Sequence, residues 1–258
     1  PSGRDFIVAT RHAAHETGIQ LFDIADADQG IVHVISPELG IALPGLSLIC
    51  PDSHTCTLGG LGALAWGVGS TEAEHALATS TLRVTRPQTM RVSFAGVLNE
   101  GVSAKDLILF TIRELSASGG AGYAIEFAGP AIEALPVEAR LTLCNMTTEL
   151  SAFTGLIAPD QKVLDYCAGR RYAPQAEVWH QANQHWQSLR SDEGAAFDQE
   201  HHFDIGSLKP QLSWGTSPHH CVDWDAAIPH AGDAPDASAS TAWQRAQDYM
   251  GVTPGSQL

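Results

Sequence analysis

The sequence predicts an α/β fold in which short strands and helices alternate along the chain. Three segments support this prediction: an apolar run of strand length at 46–50, an alanine-rich helical segment at 71–79, and a strand-like alternation of apolar and polar residues at 89–98. The chain has 258 residues, of which 44% are hydrophobic. That is enough apolar material to bury one large core or two modest ones.

The N-terminal part of the chain extends this alternation. Residues 11–17 have a helical pattern, and a strand is predicted at 18–22. Another element opens at 30–35, beside His33. The apolar run at 46–50 is predicted to be a short buried strand.

A glycine-rich run, residues 59–69, follows this strand and is too apolar for a surface loop. The next segment, 71–79, predicts a helix because Thr71 and Glu74 stand at the spacing of a capping box and alanines follow. Such a helix would point its positive N-terminal end back toward Asp52.

Two elements of regular pattern come next. The strand predicted at 89–98 is half-exposed, because apolar residues alternate with Arg91 and Ser93. Residues 102–106 then cap a helix that runs through Leu115.

A second glycine-rich segment, 119–129, predicts a strand flanked by glycines. Its Gly-Gly-x-Gly start is more typical of a tight turn than of a phosphate-binding loop. In the segment 143–150, Asn145 and Glu149 stand four residues apart and so would share one face of a helix. A buried Glu149 beside Asn145 is a plausible partner for an imidazole.

The remainder of the chain is more polar. Residues 173–203 predict a peripheral helix at 176–189 followed by a mobile link. An exposed loop is predicted at 230–240, and a short helix at 241–250 that Gly251 ends.

Charge and composition exclude several classes of function. The chain has 14 basic and 29 acidic residues, a net charge of -15, whereas binding to nucleic acid or an anionic membrane requires a basic face. No apolar run reaches the roughly 18 residues of a spanning helix, and the first residues lack a signal-peptide pattern, so we expect a cytoplasmic protein. The five cysteines have no Cys-x-x-Cys spacing, which argues against a disulfide framework or a self-contained metal site.

The candidate site is the segment that follows the strand at 46–50. Asp52, Ser53 and His54 put a carboxylate, a hydroxyl and an imidazole in consecutive positions before the glycine-rich run. Polar side chains at the end of such a strand face a ligand more often than solvent. The alternative interpretation is an ordinary helix cap and turn, for which Asp and Ser are common residues.

Residues 18–170 closely resemble the large-subunit family of 3-isopropylmalate dehydratases, within the aconitase superfamily. Five ordered motifs carry the resemblance: Gly30-Ile31-Val32-His33-Val34, Asp52-Ser53-His54-Thr55, Gly62-Ala63-Leu64-Ala65-Trp66-Gly67-Val68-Gly69, Gly119-Gly120-Ala121-Gly122 and Leu143-Cys144-Asn145-Met146. A thinner resemblance extends over 210–216.

The resemblance implies a three-layer α/β/α fold and a hydro-lyase. Members of the family remove water from a hydroxy dicarboxylate and add it back in leucine biosynthesis, with a 4Fe-4S cluster as Lewis acid. A small subunit completes the enzyme as a heterodimer. Two alternatives stay open: a sister hydro-lyase acting on homoaconitate, citramalate or citrate, and an inactive domain or assembly partner.

The resemblance also implies roles for individual residues. His54 matches the imidazole near the cluster-bound hydroxyl or water, Ser53 matches a substrate-contacting hydroxyl, and Asn145 matches an amide near the cluster. The catalytic residues expected from the resemblance are His54, Asp52, His33 and Glu149. Asp52 and His33 match a carboxylate–histidine pair, and Glu149 matches the carboxylate that orients His54.

The chain also departs from the family pattern. It contains neither the Gly-Ser-Cys-Thr-Asn segment nor the later Cys-x-x-Cys that hold the cluster in the family. We therefore expect no metal ligand in this chain, no activity of this chain alone, and a central fragment of a longer enzyme. The expected division is an N-terminal α/β domain at 1–95, a second at 96–206, and a linker with the start of a third at 207–258.

Simpler interpretations apply to several other residues. His33 taken alone is more typical of a core histidine, and Glu149 of a solvated helix residue. A turn exposed to solvent is a simpler interpretation of 219–223 than a metal site, although the segment contains two histidines, a cysteine and an aspartate. We expect Cys144 to be a small buried hydrophobe. Pro51 and Leu58, where many relatives carry Gly and His, suggest altered substrate preference.

Overall fold

A computed structural model describes residues 3–257 of the chain. The α-helices in this range are α1 Gly3–Thr17, α2 Val32–Leu39, α3 Ser70–Thr79, α4 Ala104–Leu115, α5 Pro130–Ala134, α6 Val137–Asn145, α7 Gln161–Cys167, α8 Ala176–Gln187 and α9 Ala237–Met250. The strands are β1 Ser47–Cys50, β2 Leu64–Gly67, β3 Gln88–Ala95, β4 Tyr123–Ala128, β5 Thr154–Leu156, β6 Gln199–Asp204, β7 Gln211–Ser213 and β8 Cys221–Asp223. Short 3-10 helices cover Thr55–Leu61, Met146–Leu150 and Ala231–Asp233.

The largest sheet has four parallel strands in the order β5-β4-β3-β6. β3 confirms the predicted alternation, because Met90, Val92 and Phe94 are fully buried and the residues between them are half-buried. The strand ends at Ala95 instead of continuing to Leu98. Apolar side chains of α4, α5 and α6 pack on this sheet and close the main core.

A second core surrounds the 3-10 helix Thr55–Leu61, and every residue of that helix is buried. This burial confirms that the glycine-rich run begins inside the protein. β1 and β2 pair in parallel beside it. The prediction that β1 is buried is wrong: Ser47 is exposed and the three residues after it are only partly buried, because the strand belongs to a two-stranded sheet.

A third, smaller core lies near the C-terminus. Trp214, Ile228 and Ala246 bring together the loop after β7, the segment before the last 3-10 helix, and α9. The antiparallel pair β7 and β8 is tied to α4 by Arg113, whose Nη1 donates to Asp223 Oδ1 at 3.0 Å. This arrangement places β7 and β8 against α4.

Two predicted secondary-structure assignments are wrong. Residues 18–22 form no strand, and Ile19 is 55% exposed, because no neighbouring strand lies beside this segment to supply hydrogen bonds. The predicted mobile link after α8 contains β6, which pairs with β3 over its whole length. β6 is an edge strand with the polar sequence Gln-Glu-His-His-Phe-Asp, so its sequence has no apolar alternation.

Two helix boundaries differ from the sequence prediction. The capping acid of α3 is Glu72 and not Glu74, because Glu72 Oε2 accepts the N–H of Gly69 at 2.8 Å. The C-terminal helix α9 begins at Ala237, four residues before the predicted start, because the side chain of Asp236 accepts the N–H of Ala239. Gly251 ends that helix in a left-handed conformation, as predicted.

Several other predictions are confirmed. α1 includes the predicted segment 11–17, α8 matches the predicted peripheral helix, and the glycines at 119–122 form a turn before β4. Ser103 and Asp106 form the expected capping box at the start of α4. No helix among residues 3–257 combines the length and the hydropathy needed to cross a membrane.

The domain division at 95 and 206 stays a prediction. β3 lies before the first boundary and pairs with β4 and β6 after it. Residues 1, 2 and 258, at the outer ends of the first and third predicted domains, lie outside the described residues.

The segment 219–223 is not the exposed turn that its composition suggests. His220 is 4% exposed and stacks on Trp214 with ring centroids 4.5 Å apart, and Cys221 is also buried. The N–H of Thr216 donates to His220 Nδ1 at 3.2 Å, so this nitrogen is an acceptor. His220 therefore packs against the small C-terminal core, whereas His219 is only partly buried.

We expect His220 to make the C-terminal unit sensitive to acid. Burial, with a smaller contribution from His219, lowers the pKa of His220 from 6.5 to about 4. The unfolded chain therefore binds a proton as the pH falls through about 6.5 while the folded chain does not, so stability is lost between about pH 6.5 and pH 4, by at most about 3 kcal/mol. Thermal midpoints at about pH 7.5 and pH 5 measure this loss.

Comparison of two variants tests this expectation. The decrease in melting temperature on acidification should be smaller in His220→Gln than in the parent protein. His202→Gln serves as the control, because the His202 side chain is 70% exposed on β6. An equal decrease in the parent protein and in His220→Gln would contradict the assignment.

Candidate active site

The three candidate residues Asp52, Ser53 and His54 lie in the tight turn between β1 and the buried 3-10 helix. Asp52 Oδ1 accepts the backbone N–H of His54 at 2.8 Å. Thr55 Oγ1 donates to the carbonyl of Asp52 at 2.7 Å. These bonds fix the backbone of the turn, so the carboxylate of Asp52 has the turn-forming role of the simpler interpretation, although it does not cap the 3-10 helix.

His33 approaches the turn from the first turn of α2. Its Nε2 lies 3.1 Å from Asp52 Oδ1, and its side chain is 11% exposed while that of Asp52 is 43% exposed. Within the described residues the buried Nδ1 of His33 has no hydrogen-bond partner. A neutral imidazole in this position donates from Nε2 to the carboxylate, which leaves Nδ1 as the acceptor.

His54 has a polar neighbour at each ring nitrogen. Nδ1 lies 3.0 Å from Ser53 Oγ, and Nε2 lies 3.6 Å from Glu149 Oε1. The second distance is too long for a hydrogen bond but short enough for an electrostatic contact. The His54 side chain is 35% exposed, and its ring centroid lies 6.2 Å from that of His33. The two histidine–carboxylate pairs therefore stand side by side.

Asn145 and Glu149 reach this place from a different backbone conformation than predicted. α6 ends at Asn145, and Met146–Leu150 continues as a 3-10 helix, so the two residues do not share one α-helical face. The prediction that Glu149 is buried is wrong, since its side chain is 38% exposed beside His54. Asn145 Nδ2 donates to Thr57 Oγ1 at 2.9 Å. The structure thus brings all six candidate residues to one region.

A cavity of about 530 Å³ opens beside the turn and includes Asp52 and Ser53 in its lining. Its apolar wall contains Trp66 and Phe153, whose ring centroids lie 5.3 Å apart. Polar groups at one side and aromatic groups at the other are typical of a site for a small amphiphilic molecule. His33 and His54 do not line this cavity, so it adjoins the histidine pairs instead of enclosing them.

Comparison with known proteins identifies the family. A sequence profile of the Aconitase family (aconitate hydratase) matches residues 4–258. The chain belongs to the aconitase family. Its helices and parallel sheet agree with the three-layer α/β/α fold implied by the resemblance. A curated relative, 3-isopropylmalate dehydratase large subunit 1 of Bradyrhizobium diazoefficiens, is 52% identical over 257 residues, which cover 100% of this chain and 54% of the relative.

The aconitase-family chain thus spans about half the length of the curated relative that it matches. Aconitase membership implies a 4Fe-4S cluster in the full-length enzymes. Among residues 3–257 no group of three or more His, Cys, Asp or Glu side chains could hold a metal ion. The donor set of this part of the chain therefore offers no complete coordination site for such a cluster.

Cys56 and Cys144 are buried beside the candidate site. Burial raises the pKa of the Cys56 thiol and raises that of Cys144 well above its usual value. Cys144 is fully buried, which confirms the prediction of a small buried hydrophobe.

Thr57 is not among the residues that the sequence indicated, although it links the two halves of this candidate site. Its side chain is buried within the apolar 3-10 helix Thr55–Leu61. A buried hydroxyl in an apolar segment needs a hydrogen-bond partner, and this need was the available signal. The partner, Asn145, is 88 residues away in the sequence, so the pattern could not identify it.

Proposed function

We propose that this chain is part of the large subunit of a 3-isopropylmalate dehydratase, a hydro-lyase of leucine biosynthesis. The observation that carries the proposal is the pairing of His54 with Glu149 and of His33 with Asp52 at one place in an aconitase-family chain. The 52% identity to a relative named 3-isopropylmalate dehydratase large subunit 1 supports this choice of substrate.

His54 is the proposed proton-transfer group. Removal of water from a hydroxy acid needs a proton for the departing hydroxyl, and addition of water needs the reverse transfer. Nε2 of His54 lies 3.6 Å from Oε1 of the partly exposed Glu149, whose carboxylate is positioned to orient the ring. Ser53 holds Nδ1 in place and offers its hydroxyl to a substrate carboxylate.

Asp52 and His33 form the second proposed pair. The Asp52 carboxylate fixes the ring of His33, whose centroid lies 6.2 Å from that of His54, so this pair supports the position of the His54 ring. The net charge of -15 opposes an anionic substrate, so basic groups beyond this chain are proposed to bind the substrate carboxylates.

The remaining parts of the enzyme are also proposals. A 4Fe-4S cluster, held by residues outside this chain, supplies a Lewis acid for the substrate hydroxyl when bound. A small subunit completes the heterodimer, and the enzyme works in the cytoplasm. This chain alone is proposed to be inactive.

The decisive test is an assay of the full-length protein, purified without oxygen together with its small subunit. We expect dehydration of 3-isopropylmalate and about four irons per protein. Homoaconitate, citramalate and citrate, assayed in parallel, identify a sister hydro-lyase if one of them is turned over faster. A protein that binds iron but converts none of these acids would contradict the proposed reaction.

A further inference from the structure

We propose that Thr57 is a positioning residue of this site, which joins the backbone of His54 to the side chain of Asn145. The inference rests on the proposed function, because it assigns Thr57 to the same reaction. Thr57 Oγ1 donates to the carbonyl oxygen of His54 at 2.6 Å and accepts from Asn145 Nδ2 at 2.9 Å.

The chemistry of the hydroxyl makes this link specific. A threonine hydroxyl has one proton to donate and two lone pairs to accept with. The proton is engaged by the His54 carbonyl, so Thr57 can only accept from Asn145, and Nδ2 of the amide must point toward it. Thr57 is 5% exposed, so water does not readily replace a lost hydroxyl.

The link joins the two segments that carry the histidine–carboxylate pair. His54 precedes the 3-10 helix Thr55–Leu61, whereas Glu149 follows Asn145 by four residues in the second 3-10 helix. A second, weaker contact runs in parallel, because Cys56 Sγ donates to the carbonyl of Asn145 at 3.6 Å. The hydroxyl of Thr57 therefore sits where a small shift changes the distance between His54 and Glu149.

That distance is sensitive because it is already long. Nε2 of His54 and Oε1 of Glu149 are 3.6 Å apart, so a further separation weakens the electrostatic contact that orients the His54 ring. Misplacement of a catalytic group by about 1 Å can reduce a rate about a hundredfold. Loss of the Thr57 hydroxyl is expected to affect the chemical step more than substrate binding.

The test compares Thr57→Val with Thr57→Ser in the full-length protein with its small subunit and cluster. Valine keeps the shape and removes the hydroxyl, so we expect kcat to fall about tenfold to a hundredfold with KM within about threefold. Serine keeps the hydroxyl, so Thr57→Ser should recover most of kcat. Thr57→Ala replaces the valine variant if the latter is not recovered folded.

Thr111→Val is the matched control. Thr111 is fully buried in α4, and its hydroxyl donates to the Leu107 carbonyl at 2.8 Å, but it makes no link between segments of the site. We expect this variant to lose a few degrees of melting temperature with kcat unchanged. A kcat reduced equally in Thr57→Val and Thr111→Val would overturn the positioning role.

A thermal double-mutant cycle on cluster-free protein gives a readout independent of turnover. Thr57→Val combined with Asn145→Ala should lower the melting temperature by less than the sum of the two single decreases, because both changes remove the same Thr57–Asn145 hydrogen bond. Additive decreases would overturn the link. Wild-type protein that is inactive on every acid contradicts the proposed function, whereas an active wild type with an equally active Thr57→Val contradicts the role of Thr57 alone.

Discussion

Replacing His54 with alanine in the full-length protein lowers kcat by about a thousandfold, the central value for loss of a group that transfers a proton in the transition state. The fold is expected to persist, because the His54 side chain is 35% exposed and leaves no closed cavity. Its backbone N–H and carbonyl still bond to Asp52 and Thr57. The measurement is turnover of 3-isopropylmalate under anaerobic conditions.

Iron content and melting temperature separate a chemical effect from a structural one. Both should match the parent protein in His54→Ala, and KM should change less than kcat. His202→Ala is the control, because the side chain of His202 is 70% exposed on the outer edge of the main sheet. Near-normal turnover of His54→Ala with intact iron would remove His54 from the proposed mechanism.

The elements that could be predicted from the sequence are those with a local signal, either an apolar pattern that follows burial or a helix cap. β3 alternates because one face lies on the main core, and α4 carries its own capping box. β6 could not be found this way, because it is held by backbone hydrogen bonds to β3 and carries mostly polar side chains. The segment 18–22 is the reverse case: its residues favour strands, but no neighbouring strand is present.

The candidate site likewise has features that the sequence could predict and features that it could not. Asp52, Ser53 and His54 are adjacent in sequence, so their chemistry is visible without a structure. The proximity of His33 to Asp52 and of Glu149 to His54 depends on long-range packing, and it entered the sequence analysis through family resemblance. Neither the sequence pattern nor the family resemblance predicted the hydrogen bond from Asn145 to Thr57. This bond depends on how α6 packs against the 3-10 helix Thr55–Leu61.

The contact between the same 3-10 helix and β5 predicts the most damaging small substitution, Gly59→Ala. A Cβ at Gly59 would lie 1.7 Å from the carbonyl oxygen of Gly155 and 2.8 Å from its carbonyl carbon. Both atoms are backbone of β5, which cannot rotate away as a side chain could. We expect the free energy of unfolding to fall by about 3 kcal/mol or more, which is at or beyond the upper end of the range for overpacking a core.

We expect Gly59→Ala to reduce the activity of the candidate site as well as the stability of the fold. The carbonyl of Gly59 accepts the N–H of Ile157 at 3.0 Å, so displacement of the 3-10 helix breaks its attachment to the end of β5. The same helix carries Thr57, and its movement would separate His54 from Asn145. Melting temperature and turnover are therefore expected to fall together, unlike in His54→Ala.

Gly232→Ala is the control for the added methyl group. A Cβ at Gly232 meets no atom within 4 Å, and this residue is exposed in the 3-10 helix Ala231–Asp233. We expect its melting temperature to equal that of the parent protein. If Gly59→Ala and Gly232→Ala had the same melting temperature, the 3-10 helix Thr55–Leu61 and β5 would be able to separate at little cost in free energy. That result would contradict the predicted coupling between the core and the candidate site.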